Sequence, residues 1–151
     1  EIMPSLVGSE MCIRDRIRYT IKDVMATKLI TFSPETLIGS AIQSFLENKI
    51  SGAPVVDEKG NLVGMLSEKD CLWTLLESSY YNNLSGYVKD YMSTELTTIN
   101  LYDSLSEVAQ KFLDLRFRRF PVLQNGKLVG QISRRDVLKA VSNLIKNDGS
   151  S

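Results

Sequence analysis

ISGAPVVDEKGNLVGMLSEKD (residues 50–70) and FRRFPVLQNGKLVGQISRRD (residues 117–136) decide the fold, because the second is a copy of the first. Each passes through a proline-valine pair, Pro54-Val55 or Pro121-Val122, to a glycine turn at Gly60 or Gly126. Each then follows the pattern glycine, two residues, serine, two residues, aspartate: Gly64, Ser67 and Asp70, then Gly130, Ser133 and Asp136. The turn is shorter by one residue in the second copy. Brief apolar runs flank both turns, 53–56 with 62–66 and 120–123 with 128–132, so each copy predicts a β-hairpin.

The register extends outward in both directions. IKDVMATKLIT from Ile21 lies over VKDYMSTELTT from Val88 at a shift of about 67 residues. Short β-prone stretches at 29–32 and 96–99 predict a first strand in each copy. Over 35–48 and 103–116, Ile38, Ala41, Ile42, Phe45 and Leu46, matched by Leu105, Val108, Ala109, Phe112 and Leu113, follow the spacing of an amphipathic helix. A second helix follows each hairpin, from Glu68 to about residue 77 and from Arg134 to about residue 145.

The order β-α-β-β-α, repeated twice, predicts an α/β fold. Two copies are too few for a solenoid, so a pair packed about a pseudo-twofold axis is expected. The divisions are a leader over 1–20, a first unit over 21–77, a connector over 78–87, a second unit over 88–145 and a tail over 146–151. Within the leader, residues 5–16 (SLVGSEMCIRDR) resemble a translated sequencing-adaptor artefact and are set aside from the fold.

Composition narrows the function. Eighteen basic residues balance eighteen acidic ones, so the overall charge of a non-specific nucleic-acid binder is lacking. Histidine is absent, and Cys12 and Cys71 have neither the spacing of a disulfide framework nor that of a zinc cluster. A reducing compartment fits. No apolar run approaches the roughly 20 residues that span a bilayer, and no secretory signal is read, so a cytoplasmic chain with no membrane partner is expected.

The doubled motif resembles the CBS domain family, named after cystathionine β-synthase, in both halves from Ile21 to about residue 142. The resemblance implies tandem CBS domains with two clefts between them, each taking an adenosine derivative such as AMP, ADP, ATP or S-adenosylmethionine as a regulatory ligand. It implies no resident cofactor, homodimerisation into a flat disc, and signalling to a separate effector protein. Matched position by position, the ribose-binding aspartate falls on Asp70 and Asp136, its hydroxyl partner on Ser67 and Ser133, and the first-strand threonine on Thr31 and Thr98. The adenine-contacting strand falls on Ser51, Gly52, Ala53 and Pro54, and on Arg118, Arg119, Phe120 and Pro121. Bulky Phe120 in place of Ala53 argues against an equal adenine pocket in the second copy, and Leu101 stands where the first copy has Pro34.

The residue types suit that task. An ionised carboxylate only accepts hydrogen bonds, and its two oxygens can take both hydroxyls of a ribose. Ser67 and Ser133 stand where a strand runs into a helix, whose free N–H groups favour a phosphate. Serine with an acid three residues on is equally the signature of a capping box, which only starts a helix.

Arg134 and Arg135 follow the second serine, with Arg116, Arg118 and Arg119 near in sequence, whereas Glu68 and Lys69 follow the first, so the second site is expected to prefer the more phosphorylated ligand and the first to tolerate adenosine or a monophosphate. The alternatives are a solvated helix face, or an RNA- or DNA-binding surface built on these arginines with Phe117 and Phe120. Trp73, Leu75, Leu76, Tyr80 and Tyr81 read as core or dimer-contact residues, and Cys71, matched by Val137, as an apolar filler. No nucleophile, base or metal cage stands at the recognised positions, so no enzyme is expected.

Overall fold

The computed structural model describes residues 19–81 and 85–149, so the adaptor-like stretch 5–16 lies outside the described residues. In chain order the elements are α1 (Ile21–Val24), α2 (Ile38–Asn48), β1 (Gly52–Val56), β2 (Leu62–Ser67) and α3 (Glu68–Tyr81). There follow α4 (Val88–Tyr91), β3 (Ile99–Asn100), α5 (Leu105–Asp114), β4 (Arg119–Gln124), β5 (Lys127–Ser133) and α6 (Arg134–Gly149). The fold is mixed α/β, with two runs of similar element order.

Both hairpins form where the sequence places them. β1 pairs antiparallel with β2 and β4 with β5, each with a register shift after the matched valine, Val55 or Val122. In the shorter turn Asn125 and Gly126 both take positive φ, 54° and 80°, the backbone of an Asn-Gly hairpin turn. Asp57 holds the longer turn by accepting the Lys59 and Asn61 N–H groups at 2.9 Å, and those bonds, the Asn61 N–H above all, draw its carboxyl below the usual range.

The first strands are shorter than expected. In the first half only Phe32 bridges Val55; in the second, β3 is two residues long and parallel to β4. The backbone explains this. Ala26 exchanges N–H and C=O bonds with Gln131 of β5 at 2.8 and 2.9 Å, whereas Phe32 donates to Pro54 and accepts from Val56 on β1. The chain between them crosses from one half to the other, so it can stay in register with neither sheet. Ser93, bridged to Met65, starts the equivalent crossing.

Helix α2 begins at Ile38 rather than at residue 35, because the Pro34 and Thr36 carbonyls accept the Lys89 and Val88 N–H groups of α4. Helices α3 and α6 run further than expected, into the stretches read as connector and tail. With no proline there to stop it, each added residue gains a bond once the helix has started. Thr20, read as leader, starts α1 by donating its N–H to Asp23 Oδ2 at 2.7 Å.

There are two cores, and the repeats exchange their leading helices between them. Ile21 is fully buried with Val108, Phe120, Val122 and Ile132 of the second half. Val88 is fully buried with Ile38, Ala41, Val55 and Leu66 of the first. A unit of sequence is therefore not a unit of packing.

Two glycines admit the exchanged segments. A Cβ on Gly130 would lie 2.5 Å from Met25 Sδ and 2.9 Å from the Ala26 carbonyl; on Gly64 it would lie 2.5 Å from Met92 Sδ and 3.1 Å from the Ser93 carbonyl. A methionine side chain can swing away, but a bonded backbone carbonyl cannot. Gly130→Ala is expected to cost about 1–3 kcal/mol, with Gly64→Ala the milder of the two. Urea titration of both variants checks this, and equal midpoints would refute the distinction.

The expectation of core positions on α3 needs correction. Trp73 is 58% and Leu75 68% exposed, and Leu72 and Leu76 lie outward with them. The reason is helical phase, since Cys71 and Thr74 already supply the inward face against α2. The side chains of Tyr80 and Tyr81 lie outside the described part of the chain. Leu138 and Ile145 form a matching outward apolar face on α6.

Candidate functional site

Strand β2 ends at Ser67 and α3 starts at once, tied to the neighbouring strand by the Glu68 N–H donating to the Ser51 carbonyl at 3.0 Å. The Ser67 N–H donates to Asp70 Oδ2 at 2.9 Å, and the Asp70 N–H donates back to Ser67 Oγ at 3.1 Å. The capping box is therefore real. It also fixes the carboxylate, because a bond on Oδ2 sets the plane of the group while Oδ1 takes no hydrogen bond among the described residues. Ser133 and Asp136 repeat the arrangement at the start of α6, at 2.9 and 3.2 Å.

Above Asp70 opens a cleft of about 490 Å³ with one wall from each half. Ser51, Gly52, Met65, Ser67 and Asp70 form the first wall; Leu96, Thr97, Phe117, Arg118 and Arg119 form the second, with Pro121 behind them. Lys69 and Glu95 add one charge of each sign. Among the described residues none of the three cations Lys69, Arg118 and Arg119 is in an ion pair, so their charge is available to an anion.

A family model for the CBS domain matches residues 21–77 and again residues 88–143. The chain belongs to the CBS domain family. The CBS domain-containing protein YhcV of Bacillus subtilis is 31% identical over 118 residues, which are 78% of this chain and 82% of that protein. An uncharacterized protein of Methanocaldococcus jannaschii, MJ1225, is 29% identical over 123 residues, and this chain spans 43% of its length. Among solved structures, CBSX2 in complex with AMP superimposes with a TM-score of 0.73 at 29% identity, covering 84% of this chain and 98% of that one. CBSX2 is a CBS-pair protein from Arabidopsis thaliana. Among the described residues no helix is long and apolar enough to cross a membrane.

In this CBS pair the cleft gathers eight of the residues singled out from the sequence: Ser51, Gly52, Ser67, Asp70, Phe117, Arg118, Arg119 and Pro121. Ala53 and Phe120 are not among them. Both are buried in their own cores, while Gly52 and Arg119, the residues just before them, line the cleft. Pro54 is also fully buried. Thr97 rather than Thr98 lines the cleft; the Thr98 carbonyl instead accepts from Lys111 Nζ at 3.3 Å, and Thr31 is exposed outside it.

The charge assignment also changes. The sequence groups Arg118 and Arg119 with Ser133 and Asp136, but the two arginines line the cleft of Asp70. Ser67 and Asp70 thus face residues of the other copy as well as Ser51 and Gly52 of their own. Arg134, Arg135, Ser133 and Asp136 stay outside this cleft, at the start of α6, where Asp136 Oδ1 lies 3.8 Å from Lys139 Nζ.

Of the lining residues that the sequence did not single out, Lys69 was within reach, standing between Ser67 and Asp70. Glu95, Leu96 and Thr97 were not, because only the crossing of the chain between halves brings them there. Cys71 behaves as a filler: it is buried, and burial first, then Asp70 and Glu68, push its thiol up to about 11.

Proposed function

We propose that this CBS pair binds an adenosine-type nucleotide, AMP, ADP or ATP, as a regulatory ligand and catalyses nothing itself. The observation that carries the reading is Asp70, fixed by its cap with one oxygen unengaged, facing arginines of the other half across a cleft. A carboxylate so held suits the ribose hydroxyls, and the opposed cations suit phosphate. CBSX2, which carries AMP, supports the choice of ligand.

A ligand that touches both walls favours the arrangement in which the walls fit it, so binding shifts the population of relative placements of the halves. A second copy docked through the outward faces of α3 and α6, at Leu72, Trp73, Leu138 and Ile145, would pass that shift on to an effector protein in the cytoplasm.

Calorimetry with AMP, ADP, ATP, S-adenosylmethionine and guanine nucleotides tests the reading. Asp70→Asn retains an oxygen for the cap but loses the charge. It is expected to weaken nucleotide binding by about 10–100-fold, the range for a hydrogen bond to a charged group. No heat with any purine nucleotide, combined with steep salt-dependent binding to an oligonucleotide, would replace this reading with a nucleic-acid surface.

A further inference from the structure

We infer that the two serine-aspartate sites of the pair are not equivalent: one nucleotide binds per chain, in the cleft of Asp70, with its base stacked on Phe117. The inference rests on the nucleotide reading above and adds which cleft is used and which residue selects the base.

The first observation is a row of rings found in one half only. Phe117 lines the cleft and is 46% exposed, yet its ring packs edge-on against Phe120 at 5.7 Å, and Phe120 packs against Phe112 at 4.6 Å. Phe120 is fully buried, so Phe117 is an aromatic surface open on one side and braced from the core on the other. A flat apolar face held in place before the ligand arrives is what a purine base needs for stacking. In the other repeat the positions of Phe117 and Phe120 hold Ile50 and Ala53, so the Asp136 side has no such row.

Charge is the second observation. Arg118 and Arg119 stand on the wall opposite Asp70, while their counterparts Ser51 and Gly52 line the same cleft on its near wall. The carboxylates differ as well. Asp70 Oδ1 takes no bond among the described residues, whereas Asp136 Oδ1 has Lys139 beside it, at a position where the first repeat has Trp73. The braced ring and the unengaged carboxylate oxygen thus coincide in one cleft. Three cations against Asp70 and Glu95 also order the ligands, with ATP ahead of AMP.

Calorimetry on the full chain with ATP and AMP tests this. The expected result is one site per chain, with Asp136→Asn changing affinity by less than about twofold. Phe117→Ile, which installs the residue of the other repeat, is expected to weaken AMP and ATP alike by about 10-fold or more, the range for loss of one stacked base. Phe117→Tyr keeps a ring and is expected to retain binding. Arg118→Ser with Arg119→Ser should erase the preference for ATP. Two equal sites, an unaffected Phe117→Ile, or an Asp136→Asn loss as large as that of Asp70→Asn would each overturn the inference while leaving nucleotide binding itself intact. Absence of binding to the unaltered chain would remove the nucleotide reading beneath it.

Discussion

Phe120→Ala is expected to lower the stability of the chain by about 3–5 kcal/mol, the range for emptying a buried aromatic site. Phe120 is fully buried and touches rings on both sides, Phe112 at 4.6 Å and Phe117 at 5.7 Å, so its removal leaves a void that the helix behind it cannot close. The variant nevertheless recreates what the first half already has, because Ala53 occupies the same place there. The first half manages with alanine because Phe32, on the neighbouring crossing segment, packs its ring against Phe45 at 5.6 Å. In the second half that position is Ile99. Each core thus holds one helix phenylalanine and one from the sheet layer, taken from the first strand in one half and the second strand in the other. Adding Ile99→Phe to Phe120→Ala should therefore recover part of the loss. Urea unfolding of the two single variants and the double variant forms the cycle that measures it. A double variant no more stable than Phe120→Ala would show that the two cores are not interchangeable solutions.

Ile21→Ala is expected to cost about 2–5 kcal/mol, and the damage should appear in the half to which Ile21 does not belong by sequence. Its side chain is fully buried among Val108, Phe120, Val122 and Ile132. Amide hydrogen exchange should show protection lost first in β4, β5 and α5, while β1 and β2 stay protected longer. Val88→Ala should do the reverse, because Val88 sits in the first core. Since each half lends the other a piece of its core, urea should unfold the chain in one transition rather than two. Loss of protection beginning in β1 and β2 of the Ile21→Ala variant would refute the exchange.

Local chemistry made much of this protein legible in its sequence. The hairpins follow from apolar runs around Gly60 and Asn125-Gly126, the amphipathic helices from the spacing of Ile38, Ala41 and Phe45 and of their counterparts, and the doubled register from direct comparison. The same signals located Ser67 with Asp70 and Ser133 with Asp136 at helix starts, because a capping box lies within four consecutive residues.

Only the tertiary structure decided which half lends what to the other. Ile21-Lys22-Asp23-Val24 and Val88-Lys89-Asp90-Tyr91 are near-copies, so each could in principle fill either core, and a local pattern carries no label for the one it enters. The crossing that follows α4 carries Glu95, Leu96 and Thr97 to the cleft, and Arg118 and Arg119, at the start of β4, reach the cleft of Asp70 while Phe120 faces inward. Composition and spacing report which residues are present and how far apart they lie along the chain. Contact between the two halves is set by how two nearly identical apolar faces share their burial, and that is a property of the packed pair.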